Sequence, residues 1–169
     1  TTTYIASGAA YVFTGSGTSW IQSAKLKASD YTKGDQFGER VGITDGRIIV
    51  GSRLDDDYYS SSGSAYIFSG SGSSWSQETK LVASDRQTSD YFGSSVAISG
   101  NIAVVGAYGE DANSQNSAGS IYVFEYNGSS WGPGEKIVPS DSAAYDYLSG
   151  TYQERSLGIT GDKVFAGSK

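Results

Sequence analysis

The chain has 169 residues, no cysteine, no histidine and a formal net charge of −6. That excludes a disulfide framework, a thiolate metal site, and histidine as ligand or general base. The acidic balance opposes binding to nucleic acid or anionic lipid, and no apolar run approaches the ~18 residues of a membrane-spanning helix.

Residues 1–7 are polar and read as the tail of a loop. No signal peptide is read at the start of the sequence, which fits one that was removed or an internal piece. Residues 10–13 are strand formers, matched by 65–68 and 121–124. Each run is followed by a turn, TGSG, SGSG or EYNG, which predicts a β-hairpin. The return strands open at Trp20, Trp75 and Trp131, which are 55 and 56 residues apart. Lys25, Lys80 and Lys136 keep the same steps, as do Asp30, Asp85 and Asp141. A period of this size signals a repeat architecture. The copies run approximately over residues 8–62, 63–118 and 119–169.

A loop of fixed frame comes next: SDYTKGDQFG from Ser29, SDRQTSDYFG from Ser84, and a divergent SDSAAYDYLSG from Ser140. Beyond it Val41 and Ile43 alternate with small or polar residues, as do Val96 and Ile98. After a tight turn, the runs 48–50, 102–105 and 164–166 are continuously apolar, which fits strands buried on both faces. Each run ends in glycine, at Gly51, Gly106 and Gly167. The expected core is Val41, Ile43, Ile49, Val96, Ile98, Val104, Leu157, Ile159 and Val164. One unit is four short antiparallel strands, the content of a propeller blade. It cannot cover both faces of its sheet alone, so neighbours must stack on it.

Phe37-Gly38 and Phe92-Gly93, each followed by an alternating strand, a turn, an apolar strand and a glycine, resemble the FG-GAP repeat. That repeat builds the β-propeller of integrin alpha-subunit heads and of many secreted bacterial and protist proteins. The clearest copy is YFGSSVAISGNIAVVGAYGEDANSQNSAGSIYVF, residues 91–124, similar to the shorter-loop variety found outside animals. The resemblance implies an all-β fold of β-propeller blades, here three four-stranded antiparallel repeats in a larger propeller or repeat assembly. The third copy departs from it, with Leu148-Ser149 in place of Phe-Gly and about five extra residues before Leu157. The calcium loop of integrin-type repeats, alternating Asp or Asn around a central Gly, is not reproduced.

The frame is permuted. The chain supplies two strands, then four, four and two, which leaves a half-blade at each end. Propellers usually have ~4–8 blades, so further blades or other copies of the chain are the expected partners. Both ends of the sequence fall in loops, which fits a segment of a longer chain. The edges expected to pair are 48–50 or 164–166 with 11–13.

Several residues are chemically suggestive. The recurring acids Asp30 with Asp35, Asp85 with Asp90 and Asp141 with Asp146 read as Ca²⁺ ligands or as Asx turns, and recurrence in every blade favours turns. Asp55, Asp56 and Asp57, and Glu110, Asp111 and Asn113, lie in variable loops. They are candidate Ca²⁺ ligands, against the reading of solvated loop charges. Trp20, Trp75 and Trp131 read as packing between blades rather than sugar stacking. The lysines read as partners of nearby carboxylates. Tyr58, Tyr59, Tyr108, Tyr126 and Tyr145 do not recur at matched positions, which makes them candidates for a binding face. Asn127-Gly128-Ser129 is a glycosylation sequon on a hairpin tip, where an Asn-Gly turn is wanted in any case.

These observations favour a non-catalytic extracellular interaction or structural module, used in adhesion or surface assembly. Its partner would be a protein or glycan at the cell surface or in the matrix. A carbohydrate-binding, lectin-like propeller is the alternative. An enzyme would need an isolated carboxylate pair or a metal, and no pair stands out from the repeated background.

Overall fold

The computed structural model describes residues 7–150 and 156–168, and these form twelve strands and no helix. The first pair is β1 (Ala10–Ser16) and β2 (Ser19–Leu26). A four-stranded sheet follows: β3 (Arg40–Thr44), β4 (Arg47–Ser52), β5 (Ser64–Ser71) and β6 (Ser74–Leu81). The second such sheet is β7 (Phe92–Ser99), β8 (Ile102–Ala107), β9 (Ser120–Glu125) and β10 (Glu135–Ile137). The last pair is β11 (Leu157–Thr160) and β12 (Lys163–Ala166). Within each sheet every strand pairs antiparallel with its chain neighbour, so each sheet is a simple meander. Both β1 and β5 carry a register shift before their phenylalanine, Phe13 and Phe68, so the irregularity repeats with the sequence.

The sheets stack face to face, and three apolar layers fill the gaps. The first joins Ala10, Val12 and Leu26 of the leading hairpin to Ile48, Val50, Tyr66 and Phe68. The second joins Ile49, Ile67 and Leu81 to Ile98, Val105, Tyr122 and Phe124. The third joins Val104 and Ile121 to Leu157, Ile159 and Val164. One wedge opens each layer. Phe37 meets Tyr66 and Phe68 edge-on at 5.5 and 6.0 Å. Phe92 meets Tyr122 and Phe124 the same way at 5.4 and 6.1 Å. Such aromatic pairs add stabilisation beyond the area they bury.

The wedge is held by backbone. Gly63 forms a parallel bridge with Phe92, as Gly8 does with Phe37. Gly63 has φ +80°, and a Cβ there would lie 2.0 Å from the Phe92 carbonyl oxygen. Only glycine tolerates both conditions. The divergent third copy does the same work with different residues. Leu148 is buried in the third layer, its N–H donates to Ala118 O at 2.8 Å, and Ser149 takes φ 74° where the other copies have glycine. The inserted segment 151–155 lies outside the described residues.

Two expectations are corrected. Val41 and Ile43 are exposed, at 57% and 67%. Their counterparts Val96 and Ile98 are covered by the preceding sheet, whereas no β3–β4-type pair precedes β3 among the described residues. Residues 48–50 are not a sheet edge, because β4 pairs with β3 on one side and β5 on the other. Ile49, Ile98 and Val104 are buried as expected, while Val96, Leu157, Ile159 and Val164 are half-buried.

Replacing Phe92 by Ala empties the second layer and should cost about 3–5 kcal/mol in urea titrations. Gly63→Ala should cost at least ~1–3 kcal/mol through backbone strain alone. Ile43→Thr, on an exposed face, should stay within about 0.5 kcal/mol in dilute solution.

Candidate functional site: the loop face

Antiparallel pairing puts the β4–β5 and β8–β9 loops at the same end of the sheets as the connections between sheets. Here the recurring acids, lysines and tyrosines converge. Lys80, on β6, lies with Nζ 2.8 Å from Asp30, 3.0 Å from Asp55 and 2.6 Å from Asp57. The Tyr66 hydroxyl donates to Asp55 Oδ2 at 2.6 Å. Asp30 belongs to the connection entering this sheet, so the ammonium ties the incoming chain to the sheet's outermost strand. The arrangement recurs one sheet later. Lys136, on β10, donates to Asp85 at 2.8 Å and also to Glu110, and the Tyr122 hydroxyl donates to Asp85 at 2.8 Å.

The titration behaviour follows from this geometry. Desolvation works to raise Asp30 and Asp85, but the hydrogen bonds and charges of Lys80 and Lys136 outweigh it and hold both below the ordinary carboxylate value. For both lysines desolvation works downward and the carboxylates prevail, so they are raised. Burial next to carboxylates pushes the Tyr66 and Tyr122 hydroxyls up, which keeps them neutral donors. These are charge-assisted bonds in a partly dry site, the strong kind.

The second acid of each recurring pair does something else. Asp35 accepts from Thr32 N and Oγ1 at 2.5 and 2.7 Å. Asp90 accepts from Gln87 N at 2.5 Å, and Asp146 from Ala143 N at 2.6 Å. These are turn braces. Asp90 is pushed up, to about 7, by burial and then by the charges of Glu110 and Asp85.

Sequence comparison agrees with this repeat-by-repeat geometry: the FG-GAP repeat matches at residues 20–68 and 75–124. The chain belongs to the FG-GAP repeat family. FG-GAP repeats form β-propeller blades and are typical of extracellular or surface proteins. No curated protein matches the chain.

The calcium candidates of these FG-GAP blades are placed as follows. Asp55 and Asp57 bind the Lys80 ammonium, and Glu110 binds that of Lys136. Asp55 and Glu110 are buried, which corrects the picture of solvated loop charges at those two positions. Asp56 is exposed. Asp111 Oδ1 accepts from Ser117 N at 2.7 Å, and Asn113 Nδ2 donates to Ser142 Oγ at 3.1 Å. No group of three acidic side chains is arranged for a metal among the described residues. The donors do not fit a calcium cage, because a lysine nitrogen stands at the centre of the best cluster.

The tyrosines divide in two. Tyr58, Tyr59 and Tyr145 are exposed. Tyr108 is buried, stacked on Tyr91 at 4.8 Å, and Tyr126 is half-buried under Arg47 at 4.0 Å, which removes both from the binding-face candidates. Trp20 is exposed and Trp75 packs at the edge of the first layer, and each donates to its own turn, at Gly17 O and Gly72 O. Only Trp131 reaches the preceding blade by a hydrogen bond, at Glu78 Oε1, 3.2 Å away. The Asn127 side chain is exposed and its Oδ1 caps the turn from Ser129 N and Ser130 N. Tyr66 and Tyr122 were missed as polar partners, although with Tyr11 they recur at 55 and 56 residues and could have been found by that signal.

Lys80→Met leaves three carboxylates uncompensated. The expected loss lies between the ~1 kcal/mol of an exposed ion pair and the ~3–5 kcal/mol of a buried one. It should shrink at acid pH, as Asp30 takes up its proton below the ordinary carboxylate value. Lys163→Met, which removes an exposed pair with Asp162, should leave the melting temperature unchanged.

The Asp90 carboxyl, raised from 3.8 to about 7, holds a proton in the folded state that the unfolded chain has already released. Its contribution to stability therefore falls as pH rises across that window. Asp30 and Asp85 act oppositely, losing their contribution as pH falls below the ordinary carboxylate value. Asp90→Asn should raise the melting temperature at pH 8, change it little at pH 4, and flatten the slope between. Thermal melts in that range decide it.

Proposed function

We propose that these FG-GAP blades form a non-catalytic interaction module of an extracellular or surface protein, whose loop face meets a protein partner. One observation carries the reading. Lys80 and Lys136 are bonded to Asp30 and Asp85 across blades, so those charges are already taken, and the non-recurring aromatics Tyr58, Tyr59 and Tyr145 stand exposed for a partner. The Arg86 guanidinium lies 3.9 Å over one face of the Tyr58 ring, and the residue is still 54% exposed. Rigid tyrosines offer contact area at low entropic cost.

The test is saturable binding of the labelled chain to immobilised surface and matrix proteins of the source cells. Tyr58→Ala with Tyr145→Ala should weaken binding by about 1–2 kcal/mol or more, the size of interface hot spots, without changing the melting temperature. Binding that survives protease treatment of the surface and disappears with glycosidase would replace the protein partner by a glycan. Absence of saturable binding to either overturns the proposal.

A further inference from the structure

The hairpin tip of each copy closes over the same four positions, 16–19, 71–74 and 127–130. They lie between the facing pairs Gly15 and Trp20, Gly70 and Trp75, and Tyr126 and Trp131. The second position is always glycine, at Gly17, Gly72 and Gly128, with φ 57°, 56° and 98°. The backbone demands it, because glycine takes such angles without steric cost. The first position is Ser16, Ser71 and Asn127. Two of the three tips close with serine there, so the turn does not require asparagine. Recurrence separates the two halves of the Asn-Gly pair. The glycine belongs to the turn, and the asparagine is available for another task.

The side chain is disposed for such a task. Residues 127–130 are exposed, and a Cβ at Gly128 would meet nothing within 4 Å. Asn127 Oδ1 accepts from Ser129 N at 2.9 Å, Ser129 Oγ at 3.0 Å and Ser130 N at 3.0 Å. Asn127 Nδ2 makes one long contact, 3.4 Å to Ser130 Oγ. The turn uses the oxygen and leaves the nitrogen nearly unused, so a group on Nδ2 keeps all three bonds to Oδ1. Of the four asparagines in the sequence, Asn127 alone is followed by X-Ser or X-Thr, the acceptor pattern for an N-linked glycan.

Its place in the fold is equally specific. Tyr126 N donates to Asn101 O at 2.8 Å, which fixes the tip beside the β7–β8 turn. That is the end of the sheets opposite the loop face. β9 has six residues, so the two ends stand roughly 20 Å apart.

We propose that Asn127 carries an N-linked oligosaccharide, which hydrates the turn end of the blades and leaves the loop face open to its partner. The donor is an oligosaccharide joined to a lipid pyrophosphate. Nδ2 bonds to the anomeric carbon, and the bond from that carbon to the pyrophosphate oxygen breaks. The lipid pyrophosphate leaves with the electron pair, and one Nδ2 proton passes to a base of the transferase. The inference rests on the extracellular reading above, since such transfer acts on chains that have entered an export route.

The experiment is peptide mapping by mass spectrometry of the chain recovered from its source cells and from the medium around them. The peptide spanning 127 should carry a hexose-containing mass, and an amidase that releases N-linked glycans should leave aspartate at that position. Ser129→Ala made in the same cells should lose the sugar, and Ser129→Thr should keep it. Ser129→Ala retains both backbone bonds to Oδ1, so its circular dichroism should match the wild type. Enzymatic removal of the sugar should leave affinity for the loop-face partner within about twofold, as expected of remote sites. Bare Asn127 on chain recovered outside the cells overturns this proposal and leaves the extracellular reading standing. Chain found only inside the cells, with Asn127 bare, overturns both. Sugar that survives Ser129→Ala overturns the assignment to Asn127. A partner that binds only the glycosylated chain overturns the separation of the two ends.

Discussion

The structure depends on one contact, the insertion of an aromatic wedge between neighbouring sheets. Each four-stranded sheet is apolar on both faces and cannot stand alone in water. Phe92 resolves this by reaching under Tyr122 and Phe124 while its backbone bridges to Gly63. That bridge links the start of one sheet to the entry of the strand next door, so spacing and angle are set together. Phe37 repeats the contact one blade earlier. With the wedges in place, the connection leaving one blade passes the outermost strand of the next. Lys80 and Asp30, 50 residues apart in sequence, meet there.

The polar links follow from that placement and add something packing alone lacks. Apolar layers are tolerant of sliding, whereas an ammonium within 3 Å of three carboxylates is not. Lys80 supplies by covalent attachment the positive charge that a bound divalent ion would supply in a loop of alternating acids. The joint also depends on direction, since lysine and phenol come from one blade and Asp30 from the connection before it.

Much of this was legible in the sequence. Period, hairpin turns and apolar runs predict the strands, and Phe37-Gly38 and Phe92-Gly93 mark the repeat. The recurring acids are readable as structural because a turn brace such as Asp35 must reappear in every copy. Exposure at Val41 and Ile43 was not legible, because periodicity says which face of a strand is apolar but not whether a neighbour covers it. The role of Asp55 and Glu110 was hidden for a related reason. Their charge density resembles a cation site, and only the fold shows that the cation is a lysine from 25 or 26 residues downstream. Leu148 and Ser149 broke the pattern in letters but not in shape, since leucine fills a wedge and serine takes the left-handed turn.

That last substitution makes the stack uneven. In a nearest-neighbour array each joint opens according to its own strength. The third joint has a leucine in place of a phenylalanine, so the wedge residue itself brings no ring, and a left-handed serine whose hydroxyl is buried without a hydrogen-bond partner. The molecule thus has a built-in direction of fraying: amide protection should decay first around β11–β12 and last in the layer that Phe92 closes.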